Sequence, residues 1–242
     1  MKAVILAAGR GSRLGAVSKE QNKCMVFVRG KHLIEYSLAC AAALEEIQQI
    51  IIVVGYRGDE IQAQYGALYC GKELIFVQQQ QQHGLVHAIE CCRSALGSSD
   101  FMLMLGDELM IKPRHGEFIV EFARSEVFAL CGVVHVEDTN LIRKTYTVVQ
   151  GPDGRVYRLI EKPGYIFNNM MGTGNCVFRN GILDYISKTP INQNRGEKEL
   201  TDLIQCGVDA GQVVKTFPIC SSYVNVNSPE ELERTESYFA HL

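Results

Sequence analysis

No apolar run in the chain reaches the roughly 18 residues that a membrane-spanning helix needs, so the sequence offers no membrane span. Neither sign of charge dominates: 24 basic and 27 acidic residues leave a net charge of -3. That balance sets up no field to attract nucleic acid or an anionic membrane, so any anion must be held by local design. The nine cysteines include no CxxC pair and no regular spacing, and apart from Cys91-Cys92 they stand singly. This is no disulfide framework; reduced, mostly buried thiols are expected. Met1 leads straight into a strand-like segment with no signal peptide ahead of it, which points to a cytoplasmic protein. Long linkers and internal repeats are also missing. The single low-complexity stretch, glutamines 78–82, is too short to be a disordered tract.

What is present is a hydrophobic content of 47% over 242 residues, enough for a real core in one domain of two lobes. Residues 4–8 (VILAA) suit a buried strand and run into a loop with Gly9, Gly11 and Gly15. Helical segments are expected at 33–46, 58–66, 84–96, 198–211 and 228–242, and strands at 47–56, 73–78, 100–108, 126–136, 146–150, 156–164, 172–180 and 213–219. Ser228 is placed to cap the last helix, with Pro229 at its first position. GPDG at 151–154 predicts a turn of hairpin character. The alternation of strands and helices predicts an α/β fold, a parallel sheet with helices on both faces. Residues 1–242 form one domain in this view, with a nucleotide-type half to about residue 110 and a second half of mixed strands from about 111.

The glycine loop admits several readings. A dinucleotide fingerprint needs G-x-G-x-x-G and an acidic residue roughly 20 positions on. Here the spacing is G-x-G-x-x-x-G, and RGKH stands near residue 30. The P-loop pattern G-x-x-x-x-G-K-[ST] is absent. A third possibility joins the loop to the residues on its C-terminal side, as LAAGRGSRLGAVSKEQNKCMVFVRGKHLIEYSL at 6–38.

That stretch resembles the sugar nucleotidyltransferases, whose pattern is LAAG-x-G-[ST]-R-L, then P-K-x-L, then a G-K-P-[LM]-I-E-Y-like run. Further matches come in family order: VGY (54–56), Gln79 ahead of GLVHAI (84–89), LGDE (105–108), EKP (161–163), GEKELTD (196–202) and NVNSPEEL (225–232). The resemblance covers essentially the whole chain. It implies the family's fold, a doubly wound, Rossmann-like mixed sheet with helices on both faces, in which residues to about 110 bind the nucleotide and residues from about 111 bind the sugar or other acceptor. It also implies transfer of a nucleotidyl group from an NTP to a sugar 1-phosphate, with Mg²⁺ and release of pyrophosphate, and relatives are often homo-oligomers. GLVHAI leans toward the glucose 1-phosphate thymidylyl- and uridylyltransferase branch.

The resemblance also assigns roles. Ala7, Ala8, Gly9, Gly11 and Ser12 would wrap the triphosphate with backbone N–H groups. Arg13 would stabilise the departing pyrophosphate, since its fork suits phosphate oxygens. Lys23 would neutralise the α-phosphate, Gln79 would read the base, and Gly84 would let base or ribose approach. Glu161 would accept from sugar hydroxyls, Lys162 would hold the sugar phosphate, and Gly174 would line the sugar pocket. Asp107, at the end of an apolar strand, would hold Mg²⁺, with Glu108 the lesser candidate and Asn225 and Asn227 at the second metal position.

Several positions depart from the family pattern. Ala16-Val17-Ser18 replaces Pro-Leu-Thr, and Asn22 replaces the proline before the lysine, so the loop loses two stiffening prolines and is expected to be more mobile. Asn225 stands for a common Asp, and a neutral amide is a poorer Mg²⁺ ligand than a carboxylate, so the metal geometry is expected to depart from the family's. Gly172 stands for an Asn and Thr147 for a Gly at positions that line the sugar pocket in relatives, so the acceptor need not be plain glucose 1-phosphate. No β-helix domain comes after the last helix, which argues against acetyltransfer. The alternative within the class is a cytidylyltransferase acting on a non-sugar phosphate or phosphonate, such as phosphocholine or an aminoalkylphosphonate. From other classes come a nucleotide-sugar binding module without turnover and a dinucleotide-dependent oxidoreductase. Arg13, Lys23, Asp107 and Lys162 together speak against the module, and the missing acidic residue speaks against the oxidoreductase.

Overall fold

A computed structural model describes residues 1–11, 21–124 and 126–240. Its strands in chain order are β1 (Lys2–Ala7), β2 (Phe27–Val28), β3 (Lys31–His32), β4 (Gln49–Val54), β5 (Leu68–Tyr69), β6 (Lys72–Gln78), β7 (Phe101–Leu105), β8 (Glu108–Ile111), β9 (Ala129–His135), β10 (Tyr146–Gln150), β11 (Val156–Glu161), β12 (Met170–Phe178), β13 (Val214–Pro218) and β14 (Ser222–Asn225). Eight of them form one mixed sheet in the order β13-β9-β12-β7-β1-β4-β6-β5. Two-stranded pairs β10-β11, β14-β8 and β2-β3 flank it.

β1 is buried on both faces because both are covered, so its apolar residues run on without alternation. Ala3, Ile5 and Ala7 join one core layer, under the helices Leu33–Ala42 and His115–Arg124. Val4, Leu6 and Ala8 join the other, under the helices Gly84–Cys91 and Leu200–Asp209, the 3₁₀ helix Asn180–Lys188 and the β10-β11 hairpin. The expected doubly wound mixed sheet is thus observed.

β7, β1, β4 and β6 are mutually parallel, so Leu105, Ala7, Val54 and Gln78 end on one edge. The glycine loop, Gln79 and Asp107 all emerge there, where open α/β sheets place ligands. β12 runs antiparallel to β7, with Phe178 opposite Phe101. Its first residues, including Gly172 and Gly174, therefore come to the same edge.

The expected hairpin turn is present: Gly151 N–H donates to Arg155 O at 2.9 Å and Gly154 has φ +76°. Ser228 caps the last helix, Pro229–Ala240, through its Oγ, which accepts from Glu231 N–H at 3.3 Å. The short strands β2, β3, β5, β8 and β14 and the 3₁₀ helices Thr139–Lys144 and Asn180–Lys188 were not expected, and two helical segments also differ from expectation. The helix at 84–96 divides into Gly84–Cys91 and Arg93–Leu96, because Cys92 N–H tightens onto Ile89 O in a 3₁₀ turn. A helix also forms at His115–Arg124, where none was expected; it is amphipathic and buries Phe118, Ile119 and Phe122.

Candidate active site

Gly11 and Lys23 fit together at the edge of β1. Gly11 has φ +62°, and a Cβ there would stand 2.8 Å from Lys23 Cβ, so the loop closes over the lysine stem only with glycine. Lys23 is buried in a 3₁₀ turn, Lys23–Met25, whose cap is Asn22. Asn22, fully buried, accepts from Cys24 N–H at 2.8 Å and donates from Nδ2 to Tyr56 O at 2.7 Å and Ala7 O at 3.3 Å; its own N–H goes to Glu60. The loss of a stiffening proline is therefore compensated at this position, since side-chain bonds anchor the chain where a ring would have restricted it.

A buried ammonium requires oxygen partners. Lys23 Nζ donates to Asp107 Oδ2 in a short contact and to Asn227 Oδ1 at 2.8 Å. Asn227 Nδ2 donates in turn to Asn225 Oδ1 at 2.6 Å, which orients the Asn227 oxygen toward the lysine. Asn227 N–H donates to Glu231, which pairs with Lys144 at 2.8 Å. Four predicted residues, 204 positions apart in sequence at the extreme, thus form one network. The side chain of Glu108 turns away from it, with its oxygens bound by Gly174 N–H, Asn175 Nδ2 and Tyr223 O–H.

Beside this network lies a cavity of about 480 Å³ lined by Glu161, Lys162, Gly174, Arg195, Asn225 and Asn227 among others. Lys162 adopts φ +43°, an uncommon backbone for a residue with a Cβ, and is held there by its N–H to Thr145 O at 2.7 Å. Burial, and next the nearby Glu199 carboxylate, push the Glu161 carboxyl above its usual range, while Lys162 pulls it back. Thr201 Oγ donates to Glu161 at 3.3 Å, and Arg195 pairs with Glu199 at 2.8 Å. Gly172 also lines the cavity, its Cα covered by the Tyr146 ring. Thr147 does not: its hydroxyl bonds to Asn168 and Met170 O, both at 2.8 Å.

Within the glutamine run Gln79 is the buried residue; Gln78, Gln80 and Gln81 are exposed and Gln82 half-buried. Its Nε2 donates to Gly84 O at 3.1 Å and meets His87 Nδ1 at 3.0 Å. Since a carbonyl oxygen can only accept, the bond to Gly84 fixes the orientation of the amide. Gly84 itself has φ +86°, and a Cβ there would strike Glu197, which lines the cavity. Ala7 and Ala8 are buried at the end of β1, whereas Gly9 is exposed with open space around its Cα. Ser12 and Arg13 lie outside the described residues. Sequence reasoning missed Arg195, Asn175 and Tyr223, read Asn22 only as a lost proline, and quoted Glu199 only as part of a motif. Arg195 adjoins the GEKELTD motif and Glu199 sits in it; Asn175 and Tyr223 matter only through contacts between distant strands.

Against known proteins, the family described as Nucleotidyl transferase matches residues 2–222. The UTP–glucose-1-phosphate uridylyltransferase AglF of Haloferax volcanii is 28% identical over 98% of this chain and 95% of its own. A glucose-1-phosphate thymidylyltransferase of Streptomyces griseus is 31% identical over 90% of this chain, which spans 60% of that relative's length. Among solved structures, a UDP-glucose pyrophosphorylase complexed with UDP-glucose superposes with a TM-score of 0.86 at 20% identity, covering 100% of this chain and 99% of that one. At that identity the likeness speaks for the fold.

Proposed function

The chain belongs to the nucleotidyl transferase family, and on that premise we propose that it joins UTP or dTTP to a sugar 1-phosphate with release of pyrophosphate. The observation that carries this is the meeting of Lys23, Asp107 and Asn227 at the carboxyl edge of the sheet, beside a cavity bearing Lys162, Arg195 and Glu161. The nucleophile is a phosphate oxygen, already ionised at neutral pH, so no general base is required. The obstacle is the approach of two anions, and positioning with electrostatic neutralisation lowers it.

Lys162 and Arg195 would hold the acceptor phosphate, Glu161 and Thr201 its hydroxyls. Lys23 would neutralise the α-phosphate, and Arg13 the departing pyrophosphate. With Gln79 Nε2 committed to Gly84 and His87, its Oε1 is left to accept. Uracil and thymine offer a donor at N3, whereas cytosine offers its donor at the 4-amino group and an acceptor at N3. A base read at N3 by this acceptor is therefore uracil or thymine, the pairing proposed here. Asp107 and Asn227 already set two oxygens around one cation, the ammonium of Lys23, which fits the few protein oxygens that Mg²⁺ takes alongside phosphates. Mg²⁺ held by this pair would supply neutralisation of phosphate charge.

The test is pyrophosphate release with Mg²⁺, crossing the NTPs and dTTP against glucose 1-phosphate, N-acetylglucosamine 1-phosphate, mannose 1-phosphate, phosphocholine and 2-aminoethylphosphonate. Turnover of UTP or dTTP with a sugar phosphate, abolished by Asp107→Ala, is expected. Turnover of CTP with phosphocholine or the phosphonate would overturn the sugar assignment in favour of the cytidylyltransferase. Bound nucleotide without turnover on any pair would overturn the enzymatic one.

A further inference from the structure

Glu108 is almost wholly buried, at 4% exposure, directly after Asp107. Its Oε1 accepts from Gly174 N–H at 2.9 Å and from the Tyr223 hydroxyl, and its Oε2 from Asn175 Nδ2 at 2.6 Å. Those donors belong to β12 and β14, so one carboxylate on β8 joins three strands. The linkage continues inward, since Asn175 Oδ1 accepts from His115 Nε2 at 2.8 Å. The site has been shaped for this carboxylate: a Cβ on Gly174 would lie 2.6 Å from Glu108 Oε1 and 2.4 Å from Leu105 Cδ1.

The clamp also holds the neighbouring network through the backbone. Glu108 and Asn225 are paired in the β8-β14 register, and Val226 N–H donates to Asp107 O at 3.0 Å. Gly174, Tyr223, Asn225 and Asn227 all line the acceptor cavity. No side-chain bond joins Glu108 to Lys23, Asp107 or Asn227 among the described residues.

We propose that Glu108 is a positioning residue: its three bonds set the Asp107 carboxylate and the Asn225–Asn227 pair at one geometry. This rests on the function proposed above, in which Asp107 and Asn227 hold the metal. A carboxylate acting by charge alone and one acting by reach make different demands. Aspartate keeps the charge but is one methylene too short for all three donors, and Tyr223→Phe keeps the charge and removes one donor.

The experiment is Mn²⁺ binding without nucleotide, monitored by the EPR signal of the free ion, on the full chain and on Glu108→Asp, Glu108→Gln and Tyr223→Phe, well below each melting temperature. Outer-shell partners of metal ligands commonly change affinity 10–100-fold, so Glu108→Asp and Glu108→Gln are expected to weaken Mn²⁺ by about tenfold. Tyr223→Phe should weaken it in the same direction by less. Wild-type affinity in folded Glu108→Asp, with loss in Glu108→Gln, would overturn positioning in favour of charge. If the glutamate variants do not fold, Tyr223→Phe decides, and unchanged affinity there overturns the proposal. A wild-type chain that turns over in the pyrophosphate assay yet shows such unchanged variants refutes the clamp alone. One that neither turns over nor binds Mn²⁺ refutes the function and the clamp with it.

Discussion

At Lys23 a buried charge is tolerated because a carboxylate and an amide oxygen stand against it. Methionine fills the same space but leaves the mostly buried Asp107 carboxylate without its counter-charge, so Lys23→Met should stay folded with a melting temperature lowered by about 10 °C. It should still lose about 100-fold in kcat/KM, the equivalent of one charge-assisted hydrogen bond of about 3 kcal/mol. Melting and pyrophosphate release on the same preparation check both halves. His115 carries a different expectation. Burial holds its imidazole below the usual 6.5, against a smaller upward pull from Asn175. As pH falls through that value the unfolded chain takes up a proton that the folded chain refuses, so stability is level above about pH 6.5 and is lost below it. Urea midpoints above and below that pH should fall less in His115→Leu, by up to about 1.4 kcal/mol per pH unit. Among the thiols, burial pushes Cys92 and Cys220 up to about 12, while Cys70 is exposed. A disulfide reagent at neutral pH should therefore label Cys70 in the native protein, and label Cys24, Cys92, Cys131, Cys176 and Cys220 only after unfolding. That most thiols are buried was legible in the sequence from their scatter and the absence of pairs. Which one lies outside was not, because exposure depends on the tertiary surroundings of each.

At the scale of elements, β12 meets the hairpin β10-β11 through the pair Gly172 and Tyr146. A Cβ on Gly172 would sit 2.1 to 2.3 Å from three carbons of the Tyr146 ring. Gly172→Ala must therefore move that ring, which is buried in the core layer and lines the cavity. Overpacking of this kind costs about 1–3 kcal/mol. The urea midpoint should drop accordingly, with a larger rise in acceptor KM than in nucleotide KM, because the ring lines the cavity proposed to take the acceptor. Position 172 could be read beforehand as a departure from the family pattern. The physical cause of the glycine, an aromatic face lying on its Cα, needed the register of two strands. The helix His115–Arg124 illustrates a similar limit. Its apolar positions carry a helical period, yet they lie in a stretch where strands dominate the pattern on either side.

At the scale of the molecule, the sheet does not stop between the two halves. β7 of the first half pairs with β12 of the second, and both core layers draw residues from each half. Phe101 and Phe178 pack with ring centroids 5.3 Å apart at that junction. Residues 1–112 expressed alone should therefore show no cooperative unfolding by circular dichroism, and Phe178→Ala in the full chain should cost about 3–5 kcal/mol. Local patterns were enough to specify the elements along β1, β4, β6 and β7, and the motifs at their carboxyl ends. Those elements depend on short-range features: apolar runs, caps, turns, and glycines that permit close approach. It took the packed fold to bring Lys23, Asp107 and Asn227 into one cluster, to bury Gln79 rather than its neighbours, and to turn Glu108 toward the interior. Each of these depends on which strands lie side by side, and strand order is set by the packing of layers across long stretches of chain, which no local pattern records.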